Sequence, residues 1–139
     1  MNYKLKTYFS DSQYLNYEND IACFKNSTSS NNEVWKFENI NPDEGLFMIS
    51  NLSNNKYLFF DKSSNIVKIS NLDKSKIENF YWKPLGIGVD EYLIQHGKFK
   101  DFYLYVYDTN GSILNQPLMV SNSIIEFTKN FTFNLEKVN

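Results

Sequence analysis

Apolar side chains along this chain come in short clusters that return about every 8–12 residues, with Asn, Asp, Ser and Gly between them. Ile21-Ala22-Cys23-Phe24, Tyr57-Leu58-Phe59-Phe60 and Leu104-Tyr105-Val106-Tyr107 are typical. Aromatic and β-branched residues suit a pleated, half-buried surface, and the polar residues between them suit the turns that join short strands. No stretch sustains apolar residues at the i, i+3, i+4, i+7 spacing of a helix face. The pattern predicts an all-β domain of many short strands.

The clusters also repeat as a set. Asn32-Glu33-Val34-Trp35, Asn79-Phe80-Tyr81-Trp82 and Asn130-Phe131-Thr132-Phe133 end alike, with Trp35 and Trp82 47 residues apart and Phe133 another 51 on. Upstream of each lies a second shared element: Tyr14 to Glu18, Tyr57 to Asp61, and Leu104 to Asp108. The last two continue in parallel, Asp61 through a polar turn to Ile66-Val67 and Asp108 through a polar turn to Ile113-Leu114, so each reads as a hairpin. Three repeats, drawn at residues 1–44, 45–89 and 90–139, with roughly four strands each, predict a single β-trefoil domain: a three-fold barrel capped by hairpins. One repeat has no way to bury its own apolar face, whereas three closing on each other bury all three and leave no sheet edge.

Composition narrows the function classes. The 139 residues fit one domain, and 42% hydrophobic with 17% aromatic content is enough to close a core. Fourteen Lys and no Arg against sixteen Asp and Glu give a net charge of −2, so the basic excess and the Arg residues of a nucleic-acid binder are missing. The low net charge also argues against strong electrostatic steering. A single Cys excludes an internal disulfide, and a single His excludes a two-histidine zinc motif. The opening Met1 to Lys6 is not followed by an apolar signal core, and no run approaches the ~18 apolar residues of a membrane span. No nucleophile–base pair, metal cluster or cofactor loop is readable. The expectation is a non-enzymatic monomer without cofactor, nucleic-acid partner or membrane insertion.

Local motifs have ordinary readings. Gly86-Ile87-Gly88 lacks the third glycine and the helix of a phosphate loop and reads as an inter-repeat turn. Asp108-Thr109-Asn110-Gly111 reads as a hairpin turn rather than a calcium loop. His96, beside Lys98, Lys100 and Asp101, reads as a solvated loop residue, and Cys23 as a buried, inert thiol. Glycosylation sequons at Asn26, Asn51, Asn110 and Asn130 are expected by chance where Asn is this frequent.

The position that decides between sugar and protein partners follows the Leu of each first hairpin strand. A ricin-type trefoil lectin carries there an Asp that accepts hydrogen bonds from sugar hydroxyls, and a Gln-x-Trp later in the repeat. Here the Leu positions are Leu15, Leu58 and, aligned on Asp61 and Asp108, Tyr105; the next residues are Asn16, Phe59 and Val106. The Gln is replaced by Glu33, Phe80 and Phe131, and the third Trp by Phe133. Strand alternation then places Leu15, Tyr17, Leu58, Phe60, Tyr105 and Tyr107 inside and Tyr57, Phe59, Leu104 and Val106 outside. Apolar residues at a former ligand position point to a surface covered by another protein, with Phe99 and Phe102 adding to it. Asn16, Tyr105 and Asp108 form the alternative, a residual sugar site.

The segment Tyr107-Asp108-Thr109-Asn110 followed by Ile113-Leu114-Asn115-Gln116-Pro117-Leu118 closely resembles a stretch of the small haemagglutinin component of clostridial, botulinum-type neurotoxin complexes. Asn54 to Leu58, Asn32 to Trp35, the Tyr81-Trp82-x-Pro84 group and the closing Leu135-Glu136-Lys137-Val138 resemble it too, so the likeness covers nearly the whole chain, departing in the loops at 40–47 and 96–103. The resemblance implies a trefoil adaptor that does no chemistry. Its partners would be a larger haemagglutinin subunit and trefoil lectin subunits that bind host glycans. It would act outside the cell, exported without a conventional signal peptide.

Overall fold

The computed structural model describes residues 1–108, 112–122 and 129–139. Within them twelve strands follow one another: β1 (Asn2–Thr7), β2 (Gln13–Glu18), β3 (Ile21–Asn26), β4 (Trp35–Asn41), β5 (Leu46–Asn51), β6 (Tyr57–Asp61), β7 (Ile66–Ser70), β8 (Trp82–Gly88), β9 (Glu91–His96), β10 (Tyr103–Val106), β11 (Leu118–Ser121) and β12 (Phe133–Val138). Short 3₁₀ segments at Asn31–Glu33, Lys74–Phe80 and Lys129–Phe131 precede β4, β8 and β12. Asn and Asp tolerate the left-handed backbone better than other side chains, and they take it at the reversals: Asn19 and Asp20 between β2 and β3, Asn65 between β6 and β7, Asp90 between β8 and β9. Gly86 and Gly88 belong to the end of β8, flanking a register shift, and the chain turns just after them at Val89-Asp90.

All pairings are antiparallel, and six of them close a ring in the order β1, β4, β5, β8, β9, β12 and back to β1. The other strands form hairpins β2/β3, β6/β7 and β10/β11. They join one another through Ile21 opposite Lys68, Ile66 opposite Met119, and Cys23 opposite Pro117. This is the β-trefoil: a six-stranded barrel closed at one end by three hairpins.

The core repeats three times. Leu5, Ile49 and Ile94 line the barrel from β1, β5 and β9, and Trp35, Trp82 and Phe133 from β4, β8 and β12; all are fully buried. In the hairpins Leu15 faces Phe24, Leu58 faces Ile69, and Leu104 faces Val120, again buried. Two indoles pin hairpin to barrel: Trp35 Nε1 donates to the Leu15 carbonyl at 3.0 Å and Trp82 Nε1 to the Leu58 carbonyl at 3.2 Å. Phe133 fills the third position without a donor and stacks on Phe24 at 6.3 Å.

The third repeat corrects the sequence register by one residue. Leu104 and Val106, expected outside, are both 0% exposed in the core, while Tyr107, expected inside, is 59% exposed. Asn130 donates to the Val106 carbonyl as Asn79 does to the Phe60 carbonyl, so Val106 corresponds to Phe60 and Leu104 to Leu58. Strand side chains have period two, so a slip of one exchanges the two faces completely.

Trp82→Phe keeps a ring in the core but removes the donor to a buried carbonyl and some packing. It should lower the unfolding free energy by about 1–3 kcal/mol. Urea denaturation measures this as a lower midpoint at unchanged slope; an unshifted midpoint would show that a Phe, as at residue 133, serves equally well.

Candidate functional site

Alternation along β6 and β7 leaves Tyr57, Phe59 and Asp61 facing away from the core, opposite Ser70, Lys68 and Ile66. Phe59 is half-buried because it packs on Phe80 of the neighbouring 3₁₀ segment, with ring centres 5.0 Å apart; Tyr57 meets the same ring edge-on at 6.4 Å. Lys68 Nζ lies 2.8 Å from Asp61. That lysine, with the Ser63 hydroxyl donating at 2.6 Å, holds the Asp61 carboxyl well below the usual carboxylate range. The face is an aromatic centre beside an ion pair.

The third hairpin presents Tyr103 and Tyr105 outward, Tyr105 opposite Met119 and stacked on Phe131 at 5.4 Å. With the register corrected, Tyr105 rather than Val106 stands where the lectin Asp would be. Asp108 is half-buried and accepts from Asn130 at 3.4 Å. The expected Asn110-Gly111 turn lies outside the described residues.

The first hairpin is different. Asn16 is only 4% exposed, and its side-chain oxygen accepts from the Tyr17 amide at 2.7 Å, so the residue expected to reach a sugar is turned to local structure. Cys23, opposite it, is buried as expected, and burial pushes its thiol up. Glu33, where the other repeats have Phe80 and Phe131, is buried. It accepts from the Ser27 hydroxyl at 3.0 Å and the Thr28 and Ser29 amides at 3.3 and 2.8 Å, with Lys4 at 3.4 Å. It ties down the loop after β3, a role the sequence comparison with Gln-x-Trp did not reveal.

His96 is not a solvated loop residue. It ends β9 two residues after Ile94, on the same inward face, and is fully buried. Its Nδ1 accepts from the Lys98 and Phe99 amides, both at 3.1 Å, so Nε2 carries the proton and donates to the Asn79 carbonyl at 3.3 Å. Asn51 does the same work one repeat earlier, accepting from the Ser53 amide at 2.9 Å and donating to the Asn32 carbonyl at 2.8 Å. Phe99 and Phe102, expected on the surface, are instead half-buried: they pack on Phe60 at 6.0 and 5.5 Å and help seal His96. Gly97 is required here, since a Cβ would come within 2.5 Å of Tyr81 Cβ.

At the barrel end away from the hairpins, Tyr3, Phe37, Phe47, Pro84, Tyr92 and Leu135, one from each barrel strand, line an open apolar depression of about 570 Å³. Among the described residues no group of three or more His, Cys, Asp or Glu is placed to hold a metal, and no helix is long and apolar enough to cross a membrane.

The sequence profile of the Clostridium botulinum HA-17 domain matches residues 1–138. The chain belongs to that family. A relative, hemagglutinin component HA-17 type D of Clostridium botulinum D phage, is 34% identical over 122 residues, covering 85% of this chain and 80% of its own. Among solved structures, a mosquitocidal holotoxin superposes with a TM-score of 0.85 at 16% identity over all of this chain, which spans 17% of that protein. The designed three-fold symmetric protein ThreeFoil superposes at 0.76 and 17% identity, over 99% of both chains. At such identities these two show the shared trefoil alone. The family match covers all three hairpin faces, including the two aromatic ones.

Burial depresses the His96 imidazole to about 4, below its ordinary value near 6.5, so the unfolded chain binds this proton more tightly than the folded one. The contribution is complete above pH 6.5 and is lost as pH falls towards 4, up to about 3 kcal/mol. Urea unfolding from pH 7 to 4 should show that decline. His96→Asn, which copies Asn51, should flatten it; an unchanged slope would mean that other groups cause it.

Proposed function

We propose that this protein is a non-catalytic adaptor of a haemagglutinin-type, toxin-associated complex, acting outside the cell and joining a larger haemagglutinin subunit to trefoil lectin subunits that bind host glycans. The observation that carries the reading is the state of the three outward positions after the hairpin leucines. Asn16 is buried and engaged, and Phe59 and Tyr105 are aromatic and stacked on Phe80 and Phe131. None offers the carboxylate that recognises sugar hydroxyls in a ricin-type site, and two offer the aromatic anchors on which protein interfaces depend. The relative's name, a haemagglutinin component, supports membership of such an assembly. Tyr57 and Phe59 are the anchors we assign. Leu104 and Val106 are withdrawn because the core holds them, and Phe99 and Phe102 because they cover His96.

A lectin role of its own has one observation in favour: Tyr105 offers a ring near Asp108, itself held by Asn130. A glycan array separates the readings. The adaptor leaves the glycans silent while the isolated chain runs as a monomer in light scattering and binds the haemagglutinin subunits. Specific glycan binding abolished by Tyr105→Ala or Asp108→Ala makes the protein a lectin.

Phe59→Ala should weaken subunit binding by about 2 kcal/mol or more, the signature of a central aromatic anchor. Titration calorimetry reads it directly, and a loss of only about a few tenths of a kcal/mol would remove Phe59 from the interface core.

A further inference from the structure

The net charge of −2 conceals a partition. Residues 1–44 carry four Lys against seven acidic residues, residues 90–139 four against six, and residues 45–89 six against three, a balance of +3 in the middle repeat alone. The three acids of that repeat are all engaged. Asp61 pairs with Lys68 at 2.8 Å, Asp73 accepts from the Ser75 amide and hydroxyl at the start of the 3₁₀ segment, and Glu78 pairs with Lys98 at 3.4 Å. Lys74 and Lys76 are exposed and form no ion pair among the described residues. They lie at the start of the 74–80 stretch, which breaks at Lys76 (φ −129°, ψ 28°) before the turn whose Phe80 packs against Phe59 and Tyr57, and Leu72, 43% exposed, lies between that stretch and β7. The middle repeat therefore carries Tyr57 and Phe59 on its outward hairpin face with Lys68 opposite Phe59, and exposes Leu72, Lys74 and Lys76 on the stretch that leads to Phe80.

The corresponding face of the third repeat, Tyr103, Tyr105 and Met119, is equally aromatic but has Asp101 and Asp108 flanking its strand, and Lys129, on the short segment of Phe131, lies over the Tyr8 ring at 4.8 Å. Two aromatic faces thus differ in the balance of charge in their repeats, six Lys against three acids and four against six. Rim charge selects the partner and speeds encounter, while the aromatic centre supplies the affinity.

We infer that the Tyr57–Phe59–Leu72 face, with its lysine rim, is the docking site for an apolar surface rimmed by acidic residues on one subunit of the assembly. This rests on the adaptor reading and gives it a direction: the middle repeat takes an acidic-rimmed partner, and the third-repeat face does not.

The test uses the whole chain with two probes, the purified larger haemagglutinin subunit and the purified trefoil lectin subunit, each immobilised separately at low and at high salt. Wild type should bind at least one of them through this face, more weakly as salt rises. The double substitution Lys74→Glu with Lys76→Glu should weaken that binding about tenfold or more and flatten its salt dependence. Lys137→Glu, an exposed change on β12, should leave it within about twofold. Circular dichroism and urea midpoints confirm that the variants fold. If wild type binds a subunit and the double substitution binds it equally well, the docking assignment falls and the adaptor reading stands. If wild type binds neither subunit, both fall. Lysine-dependent self-association seen by light scattering, or lysine-dependent binding to vesicles containing phosphatidylserine, with subunit binding unaffected, would also overturn the assignment by giving the face another occupant.

Discussion

The structure depends on the closure of β1 against β12. Six residue pairs, from Asn2 opposite Val138 to Thr7 opposite Phe133, join the two ends of the chain and turn a twisted open sheet into a barrel. Without that ladder, strands from all three repeats would face an open groove instead of a filled core, and two sheet edges would be exposed. Closure also explains why a single repeat has no independent fold. Leu5, Ile49 and Ile94 meet only when all three repeats are present, and the hairpins have a floor to sit on only when the barrel beneath them is complete.

Three-fold correspondence governs the buried polar groups as well as the apolar ones. Thr7, Asn51 and His96 end β1, β5 and β9 at equivalent positions, and all are buried. Asn51 and His96 each accept from the backbone two residues on and donate to the carbonyl of the Asn that leads into the preceding barrel strand, Asn32 before β4 and Asn79 before β8. Thr7 accepts similarly from the Phe9 amide. A buried amide or imidazole is tolerated here because the strand end supplies partners for both its polar atoms. The same chemistry fixes the loops that lead into the hairpins, so the outward faces stand at a defined angle on a rigid base.

Much of this was legible in the sequence, because the residues that mark the repeats are chemically distinctive. Trp35, Trp82 and Phe133 each begin a barrel strand, and the Asn three residues before each recurs with them. The register of the third hairpin is less legible: Asp61 and Asp108 each follow an aromatic cluster and precede a polar turn, whereas the Tyr-Leu pairs at 14–15, 57–58 and 103–104 carry the true correspondence. His96 departs from the expected solvated loop for a related reason. Its neighbours Lys98, Lys100 and Asp101 are charged, but strand alternation puts it with Ile94, and period two outweighs local composition inside a strand. The tie from Glu33 to the loop at 27–29 needed the fold, since nothing in the spacing of Ser, Thr and Glu distinguishes a buried carboxylate from a surface one.

The changes at the outward positions are coupled. Where the residue after the hairpin Leu is aromatic, the residue two before the barrel Trp or Phe is aromatic also: Phe59 with Phe80, Tyr105 with Phe131. Where it is an amide, at Asn16, the partner position holds the carboxylate of Glu33. The second and third repeats thus pack ring on ring in the outer layer, the first turns Asn16 to the Tyr17 amide and Glu33 to the loop at 27–29, and the inner layer of Leu15, Leu58 and Leu104 stays constant. That separation follows from the alternation of the strand. The inward residue bears the packing of the whole trefoil, whereas its outward neighbour answers only to the short segment beside it. A fold built in this way can give up a sugar-binding carboxylate in all three repeats and acquire different surfaces on each without disturbing the core. The three hairpins, equal in backbone, are therefore free to be unequal in what they bind.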